Sequence, residues 1–353
     1  MVGGNPPVWA GLPILRAAIP PRRDPYHFLF LIGLVWVRYN GFTFALLLGF
    51  GVMTGKESFD ENPAASRDTE DVQKRSMIEV EGLTKNYGAV RAVDHVSFNI
   101  PSGQVFGLLG PNGAGKSTTI KMLTTLSIPD AGRCWIDGVE AIKDPFSVKQ
   151  RIGVVPQENN LDRDLTAYEN LQIYAWLHRV KQAREEIQSM LRAVDLWERK
   201  DFVVNQFSGG MQRRLLLARA RLPKPLVLFL DEPSIGLDPQ IRRQLWDMIR
   251  KTKIEGRTIV LTTHYIEEAE ALCDRVGILA KGKLIALDTP QSLKAIVGEY
   301  VVEFINWEGK LLQQICRNPE EAHALARQRE NGVTIRKTNL EDVFIKLTGE
   351  RIE

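Results

Sequence analysis

The stretch VFGLLGPNGAGKSTTIKML, residues 105–123, decides the fold of this chain. Its first five residues predict a buried strand, the next ones are rich in glycine, and a helix is expected from about Lys116. The loop fits the pattern G-x-x-x-x-G-K-[ST] at Gly110, Gly115, Lys116 and Ser117. Glycines let the backbone wrap a phosphate chain without Cβ clashes, and a helix N-terminus attracts anions. The stretch therefore predicts a strand, a phosphate-binding loop and a helix, rather than a plain glycine-rich turn.

Two side chains of this loop carry specific chemistry. The ammonium group of Lys116 is expected to reach the β- and γ-phosphates of ATP, and the hydroxyl group of Ser117 is expected to bind Mg²⁺. ATP and Mg²⁺ are therefore the predicted ligands.

A second stretch, LVLFLDEP at residues 226–233, supplies acidic groups. Five consecutive apolar residues predict a strand that is buried on both faces, as in a parallel sheet. Asp231 and Glu232 follow at its carboxyl end, where open α/β sheets bind ligands. We expect Asp231 to hold Mg²⁺ through bound water and Glu232 to be the base that polarises the attacking water. Taken alone, the acidic pair could also be a helix cap, but a phosphate loop in the same chain favours the catalytic interpretation.

Composition excludes some functions. The chain has 353 residues, 46 basic against 43 acidic side chains, and a net charge of +3, so it lacks the concentrated positive charge of a nucleic-acid-binding protein. No nucleic-acid partner is predicted. Three cysteines, Cys134, Cys273 and Cys316, have no ligand spacing and are interpreted as packing residues in a reducing compartment.

The first 76 residues have a different character. An apolar segment at residues 28–53 is long enough for a bilayer, but Arg38 and Asn40 interrupt it near its middle, where a charge costs roughly 2.5–3.5 kcal/mol. A polar linker, residues 54–76, follows. Two interpretations stay open: a membrane-associated anchor, or residues that are not part of the working protein, because of a wrongly assigned start codon or as a dispensable extension.

From these motifs the chain resembles the nucleotide-binding domain of ABC transporters over roughly residues 77–300. The resemblance implies an α/β P-loop NTPase fold, with a RecA-like parallel sheet core, an antiparallel β subdomain and a helical subdomain at about residues 158–215. It assigns residues 77–298 to the ATPase domain. The loop residues that it assigns to nucleotide binding are Gly110, Pro111, Asn112, Gly113, Ala114, Gly115, Lys116, Ser117 and Thr118.

Four further positions acquire roles only through the resemblance. Tyr87 matches the aromatic residue that stacks on adenine, and Gln157 matches the glutamine that contacts Mg²⁺ and the water. His264 matches the histidine that contacts the γ-phosphate. Asp238 ends SIGLD, the loop after the acidic pair, and is assigned to the nucleotide site. The implied catalytic residues are thus Glu232, His264 and Gln157.

The stretch QFSGGMQRRLLLARA, residues 206–220, resembles the family signature at Ser208, Gly209 and Gly210, with Phe207 and Met211 where Leu and Gln are commoner. Its serine hydroxyl, bare amides and helix dipole suit a phosphate. In the family this signature closes over the nucleotide that a second copy holds. The resemblance therefore implies an ATP-dependent, head-to-tail homodimer.

The resemblance also implies a function, a location and a partner for the protein. It predicts an ATP-hydrolysing subunit of an ABC exporter, peripheral on the cytoplasmic face of the inner membrane, which powers a separate permease subunit. The alternative is a non-transport ABC ATPase that acts on nucleic acid or ribosomes.

Residues 158–215 are expected to be helical, with a capping box at 166–169 and buried residues Ile187, Met190, Leu191 and Val194.

A small α+β unit is predicted at residues 299–353. Its ending, NLEDVFIKLTG, resembles the C-terminal extension of daunorubicin-resistance-type export ATPases. The last helix is expected to open with a capping box at 338–341 and to bury Val343, Phe344 and Leu347. Dimerisation, regulation and structural capping remain alternative roles for this unit.

Overall fold

The computed structural model describes residues 35–39, 42–46, 76–329 and 332–349. The chain divides into two units, Met1–Arg67 and Asp68–Glu353. In the first unit the described residues form two strands, β1 (Val35–Tyr39) and β2 (Phe42–Leu46), which pair antiparallel. The rest of the predicted extension, including most of the apolar segment 28–53 and residues 54–75, lies outside the described residues. Within the described residues, no helix has the length and apolarity that a membrane crossing requires.

The second unit contains the remaining strands: β3 (Ser76–Tyr87), β4 (Val90–Pro101), β5 (Val105–Leu109), β6 (Ala131–Ile136), β7 (Val139–Glu140), β8 (Ile152–Val155), β9 (Val227–Asp231), β10 (Thr258–Thr263), β11 (Arg275–Ala280), β12 (Lys283–Asp288), β13 (Tyr300–Ile305), β14 (Leu311–Cys316) and β15 (Thr334–Lys337). Its α-helices are α1 (Lys116–Leu123), α2 (Pro145–Arg151), α3 (Ala167–Leu177), α4 (Ala183–Ala193), α5 (Gly209–Arg221), α6 (Pro239–Ile254), α7 (Ile266–Leu272), α8 (Pro290–Val297), α9 (Pro319–Arg327) and α10 (Leu340–Thr348).

A six-stranded sheet in the order β12-β11-β5-β10-β9-β8 forms the centre of the second unit. Its strands are parallel except for β12, which pairs antiparallel with β11. Because β10 lies between β5 and β9, the segments that follow these three strands emerge side by side at one edge. This topology places the phosphate loop, the acidic pair and His264 together.

The central strands are buried on both faces, as their apolar runs predict. In β5, Val105 and Leu109 belong to one hydrophobic cluster, whereas Phe106 and Leu108 belong to another. This alternation follows from the two-residue period of a strand. Two separate cores therefore hold the sheet from its two sides.

One of these cores lies beneath an antiparallel sheet in the order β4-β3-β6-β7. The other contains residues of α3, α4 and α5. Within this helical region the predicted capping box is confirmed, since the Glu169 amide donates to Thr166 Oγ1 at 3.1 Å and the Thr166 amide donates to Glu169 Oε2 at 2.8 Å. Ile187, Leu191 and Val194 are buried as predicted, whereas Met190 is only partly buried.

The C-terminal residues form a three-stranded sheet, β14-β13-β15, with α9 and α10. The strand β14 was not predicted from the sequence. The capping box of α10 is Asn339 with Asp342, not the predicted Thr338 with Glu341, because the Thr338 amide pairs with the Glu299 carbonyl and the helix begins one residue later.

The buried face of α10 is partly as predicted. Val343 and Phe344 are fully buried and join the core that also contains Ala269 of α7 and Leu293 of α8. Leu347 is 36% exposed in the last turn, so the prediction that it is buried is wrong. The three cysteines are buried, as packing residues should be.

Candidate functional site

The phosphate loop connects β5 to α1 and depends on two glycines. Gly115 has φ +103°, and a Cβ atom there would lie 2.3 Å from the Ala92 carbonyl oxygen. A Cβ atom at Gly110 would lie 2.2 Å from the Leu279 carbonyl oxygen. Only glycine therefore allows the loop to pass this close to two other backbones. Gly115 is also the N-cap of α1 and supplies no capping side chain, so the first amides of the helix are offered to a ligand.

A cavity of about 570 Å³ lies at this loop. Its volume is in the range of small-molecule sites. The lining residues are Val90, Arg91, Ala92, Asn112, Gly113, Ala114, Gly115, Lys116, Ser117, Thr118, Gln157, Glu232 and Lys281. Predicted residues from three separate motifs thus meet around one space.

Lys116 is buried in this site and its charge is compensated. Its Nζ atom donates to the carbonyl oxygens of Gly110 at 2.7 Å and Pro111 at 3.1 Å, and it lies 3.1 Å from Glu232 Oε1. The lysine and glutamate side chains are only 5% and 4% exposed. The predicted phosphate ligand and the predicted base therefore form an ion pair.

Ser117 and Asp231 lie together beside this pair. The Ser117 hydroxyl donates to Asp231 Oδ1 at 2.9 Å, and the Thr262 hydroxyl on β10 donates to the same oxygen at 2.5 Å. Hydroxyl and carboxylate oxygens are the ligands that Mg²⁺ prefers, and Mg²⁺ usually takes one or two of them together with phosphate oxygens and water. The donor set thus fits Mg²⁺.

Glu232 is held in an unusual backbone conformation. Its φ is +49°, which is uncommon for a residue with a side chain. The Glu232 amide donates to the Thr262 hydroxyl at 2.9 Å, and its Oε2 atom lies 2.7 Å from His264 Nδ1. The carboxylate thus contacts His264 through one oxygen and Lys116 through the other, as an oriented base requires.

Behind the acidic pair, Glu268 is fully buried on α7. It accepts hydrogen bonds from the Ser234 hydroxyl and from Trp246 Nε1, the latter at 3.0 Å. Burial raises the pKa of the Glu268 carboxyl, against the lowering by hydrogen bonds from Ser234, Thr263 and Trp246. This cluster connects the loop after the acidic pair to α6 and α7.

The signature residues lie away from the lining of the cavity. Ser208 is the N-cap of α5 and accepts from the Met211 amide at 3.3 Å, so the helix begins at Gly209. Ser208 and Gly209 are exposed, and nothing lies within 4 Å of a Cβ atom built at Gly209. A Cβ atom at Gly210 would meet the Ile241 side chain at 2.6 Å, which explains a glycine where α5 packs on α6.

Other predicted site residues are also outside the cavity lining, namely Tyr87, Gly110, Pro111, Asp231, Asp238 and His264. Tyr87 ends β3 with 51% exposure, and Lys85 Nζ lies 5.7 Å from its ring centroid. Asp238 is the N-cap of α6 and accepts from the amides of Gln240 at 3.1 Å and Ile241 at 3.0 Å. Within one chain, Asp238 therefore has a structural role that its assignment to the nucleotide site did not include.

Sequence reasoning missed several lining residues, namely Val90, Arg91, Ala92 and Lys281. It also missed Arg213 on α5, a buried side chain that donates to backbone carbonyls of the Gln157 loop and of the acidic pair. Burial lowers the pKa of the Arg213 guanidinium, and nearby Asp231, Glu268 and Glu232 oppose this. Arginine is almost never buried without partners, but the burial of Arg213 is known only from the structure, so the sequence alone carried no signal for it.

Comparisons with known proteins agree with this geometry. Residues 93–235 match the family model described as ABC transporter. The Nod factor export ATP-binding protein I of Ralstonia nicotianae is 38% identical over 304 residues, which cover 78% of this chain and 95% of that protein.

Two solved structures are similar in fold and sequence. The cbiO1 protein from Clostridium perfringens, part of an ABC transporter complex, is 28% identical with a TM-score of 0.58, over 62% of this chain and 91% of that one. A dimeric ATP-binding cassette in a post-hydrolysis state, bound to ADP and Pi, is 27% identical with a TM-score of 0.56, over 60% of this chain and 98% of that one.

Proposed function

The chain belongs to the ABC transporter family as an ATP-binding and ATP-hydrolysing subunit of the export type, and from this premise we propose how its residues act on ATP. The alternative of an ATPase that acts on nucleic acid or ribosomes is not favoured by the relatives. The observation that carries the proposal is that Lys116, Ser117 and Glu232 line one cavity at the phosphate loop. Asp231 lies directly behind them, in a hydrogen bond with Ser117.

When ATP binds, Lys116 exchanges its partner Glu232 for the phosphates of the nucleotide. The phosphates enter the cavity over the amides at the start of α1, and Lys116 leaves Glu232 to contact the β- and γ-phosphates. The adenine extends past Val90 towards Tyr87, whose exposed ring is available for stacking. The contacts of Lys116 with the phosphates thus offset the free energy lost when its ion pair with Glu232 breaks.

Ser117, Asp231 and Gln157 are the residues that hold Mg²⁺ with the nucleotide. Ser117 Oγ lies 2.9 Å from Asp231 Oδ1, and Gln157 lines the same cavity. A metal held by these residues would neutralise the charge that develops on the phosphates during transfer.

Glu232 is the base once Lys116 has moved. Its Oε1 atom, released by the lysine, accepts a proton from the attacking water, while its Oε2 atom stays on His264 Nδ1. His264 therefore orients the carboxylate on one side and contacts the γ-phosphate on the other.

The exposed N-terminus of α5 completes the site of a second copy. Ser208 and Gly209 are exposed and do not line the cavity of their own chain, so they are free to meet a nucleotide held by a partner. In that head-to-tail homodimer Asp238, which caps the adjacent α6, faces the same interface. The γ-phosphate holds the dimer closed, and hydrolysis releases it.

The partner that uses this cycle is a separate permease, with the ATPase peripheral on the cytoplasmic face of the membrane. Three apolar side chains on α3, Ile173, Trp176 and Leu177, are 46%, 81% and 69% exposed. Exposed apolar groups of this size mark interaction surfaces. They lie on the helical region that follows the Gln157 loop and are the proposed contact with the permease.

A mixture of two inactive copies tests the composite site. A Lys116→Ala copy retains its signature but cannot bind ATP, and a Ser208→Arg copy binds ATP but cannot complete a partner's site. We expect neither copy to hydrolyse ATP alone and the mixture to regain turnover, because one of the two sites in each mixed dimer is intact. Absence of turnover in a mixture whose Ser208→Arg copy still binds ATP would contradict the head-to-tail dimer.

A further inference from the structure

Arg213 joins two segments of the active site that are far apart in the sequence. Its Nη1 atom donates to the carbonyls of Pro156 at 2.6 Å and Gln157 at 3.3 Å. Its Nη2 atom donates to the carbonyls of Asp231 at 3.1 Å and Glu232 at 2.6 Å. The Nε atom donates to the Pro233 carbonyl at 2.8 Å.

The buried Arg213 side chain donates to five carbonyl oxygens. It is 7% exposed, and all three nitrogen atoms of the guanidinium are used. Only arginine presents several N–H donors in a rigid planar fork, so a lysine at the same place can satisfy only part of the set.

The Glu232 peptide is consequently held from both sides. Its amide donates to Thr262 on β10, and its carbonyl accepts from Arg213 on α5. A left-handed conformation such as φ +49° persists only where the surroundings impose it. Arg213 and Thr262 together impose it here and so direct the carboxylate towards Lys116 and His264.

Two other residues of α5 also hold the Gln157 loop. Gln212 contacts Asn159 through their side-chain amides, and Arg219 donates to the Asn160 carbonyl at 3.2 Å. Gln212 also donates to the carbonyls of Val204 and Phe207, and Arg219 also lies over the ring of Tyr174. Arg213 differs from both because its hydrogen bonds reach the acidic pair.

We propose that Arg213 is the positioning residue that fixes the backbone of Glu232 and the Gln157 loop relative to each other for hydrolysis. This inference rests on the proposed role of Glu232 as the base. Because Arg213 lies on the helix that begins at the signature, a shift of α5 when the signature meets a partner's nucleotide moves both segments together.

The test compares two buried arginines of one helix. Arg221 is 8% exposed at the other end of α5, where it pairs with Glu255 at 2.7 Å and 2.8 Å, so it serves as the matched control. The variants Arg213→Gln, Arg213→Lys, Arg221→Gln and Arg221→Lys are made in the full chain. The measurements are kcat and KM for ATP, and the Kd of a fluorescent ATP analogue.

For Arg213→Gln we expect kcat to fall by about 100-fold, the cost of a small misplacement of a catalytic group, with the analogue's Kd unchanged because Arg213 does not line the cavity. Arg213→Lys should lie between wild type and Arg213→Gln, and the two Arg221 variants should keep the wild-type kcat. A kcat no lower in the Arg213 variants than in the Arg221 variants overturns the proposal, as does a parallel loss of analogue binding. If Arg213→Gln does not fold, the comparison of the two lysine variants decides.

A Glu232→Gln background separates this inference from the proposed function. If Arg213 acts through Glu232, adding Arg213→Lys to Glu232→Gln lowers the single-turnover rate no further, because interacting positions are not additive. A full additional loss overturns the inference alone. Wild-type turnover by Glu232→Gln itself would instead remove Glu232 as the base.

Discussion

The buried ion pair between Lys116 and Glu232 predicts a large and mutual energetic coupling in the nucleotide-free protein. The two side chains are 5% and 4% exposed, and their charged atoms are 3.1 Å apart. Removing one partner of such a pair typically costs about 3–5 kcal/mol, because the other charge stays buried without compensation. Lys116→Met, which keeps the apolar stem, is the informative change.

The contacts that remain after each substitution reduce the expected loss of unfolding free energy. Without Lys116, Glu232 still has His264 Nδ1 at 2.7 Å. We therefore expect Lys116→Met to lower the free energy of unfolding by about 3 kcal/mol, the lower end of the range. Without Glu232, Lys116 keeps two backbone carbonyls, so Glu232→Gln should cost only about 1–2 kcal/mol. The double variant should cost less than the sum, with a coupling energy of roughly 1–3 kcal/mol.

Urea unfolding of the four proteins without nucleotide measures this cycle. The control is the pair between Lys224 and Glu186, also short at 2.6 Å but 59% and 20% exposed, where coupling of about 0.2–1 kcal/mol is expected. A coupling between Lys116 and Glu232 no larger than this surface value would refute the reasoning that burial makes the two charges depend on each other.

Further expectations concern the loop, the C-terminal helix and a buried acid. Gly115→Ala should abolish binding of a fluorescent ATP analogue while leaving the far-ultraviolet circular dichroism unchanged, because its Cβ atom would lie 2.3 Å from the Ala92 carbonyl oxygen at φ +103°. Phe344→Ala should lower the free energy of unfolding by about 3–5 kcal/mol in urea titrations, whereas Leu347→Ala, at 36% exposure, should change it by roughly 0.5 kcal/mol or less. The pKa of Glu268 is raised in the folded protein. Between the pKa of the unfolded chain and that of the folded protein, the folded protein therefore binds more protons than the unfolded chain. The free energy of unfolding consequently falls as pH rises through the folded pKa. Glu268→Gln should therefore flatten the decline of unfolding free energy with rising pH, and an unchanged slope would exclude Glu268 as its source.

The sequence alone was sufficient to predict the local structure around the phosphate loop and the acidic pair. Both consist of residues that are neighbours in the chain and whose types are set by local needs: glycines for a close approach, an apolar run for a buried strand, and acids at its carboxyl end. The strand at 105–109 and the helix from Lys116 are confirmed. Local patterns failed at α10, where the backbone pairing of Thr338 with Glu299 moved the cap by one residue.

Only the tertiary structure decided how these motifs meet. The order β5-β10-β9-β8 brings Lys116 against Glu232 and places Arg213 between residues 156–157 and 231–233. Two other elements supply further lining residues: Ala92 lies on β4 of the antiparallel sheet, and Lys281 follows β11. The physical reason is that these contacts join groups separated by tens to more than a hundred residues. Their partners are mostly backbone carbonyls, which every residue type carries, so no pattern of side chains along the chain reveals them.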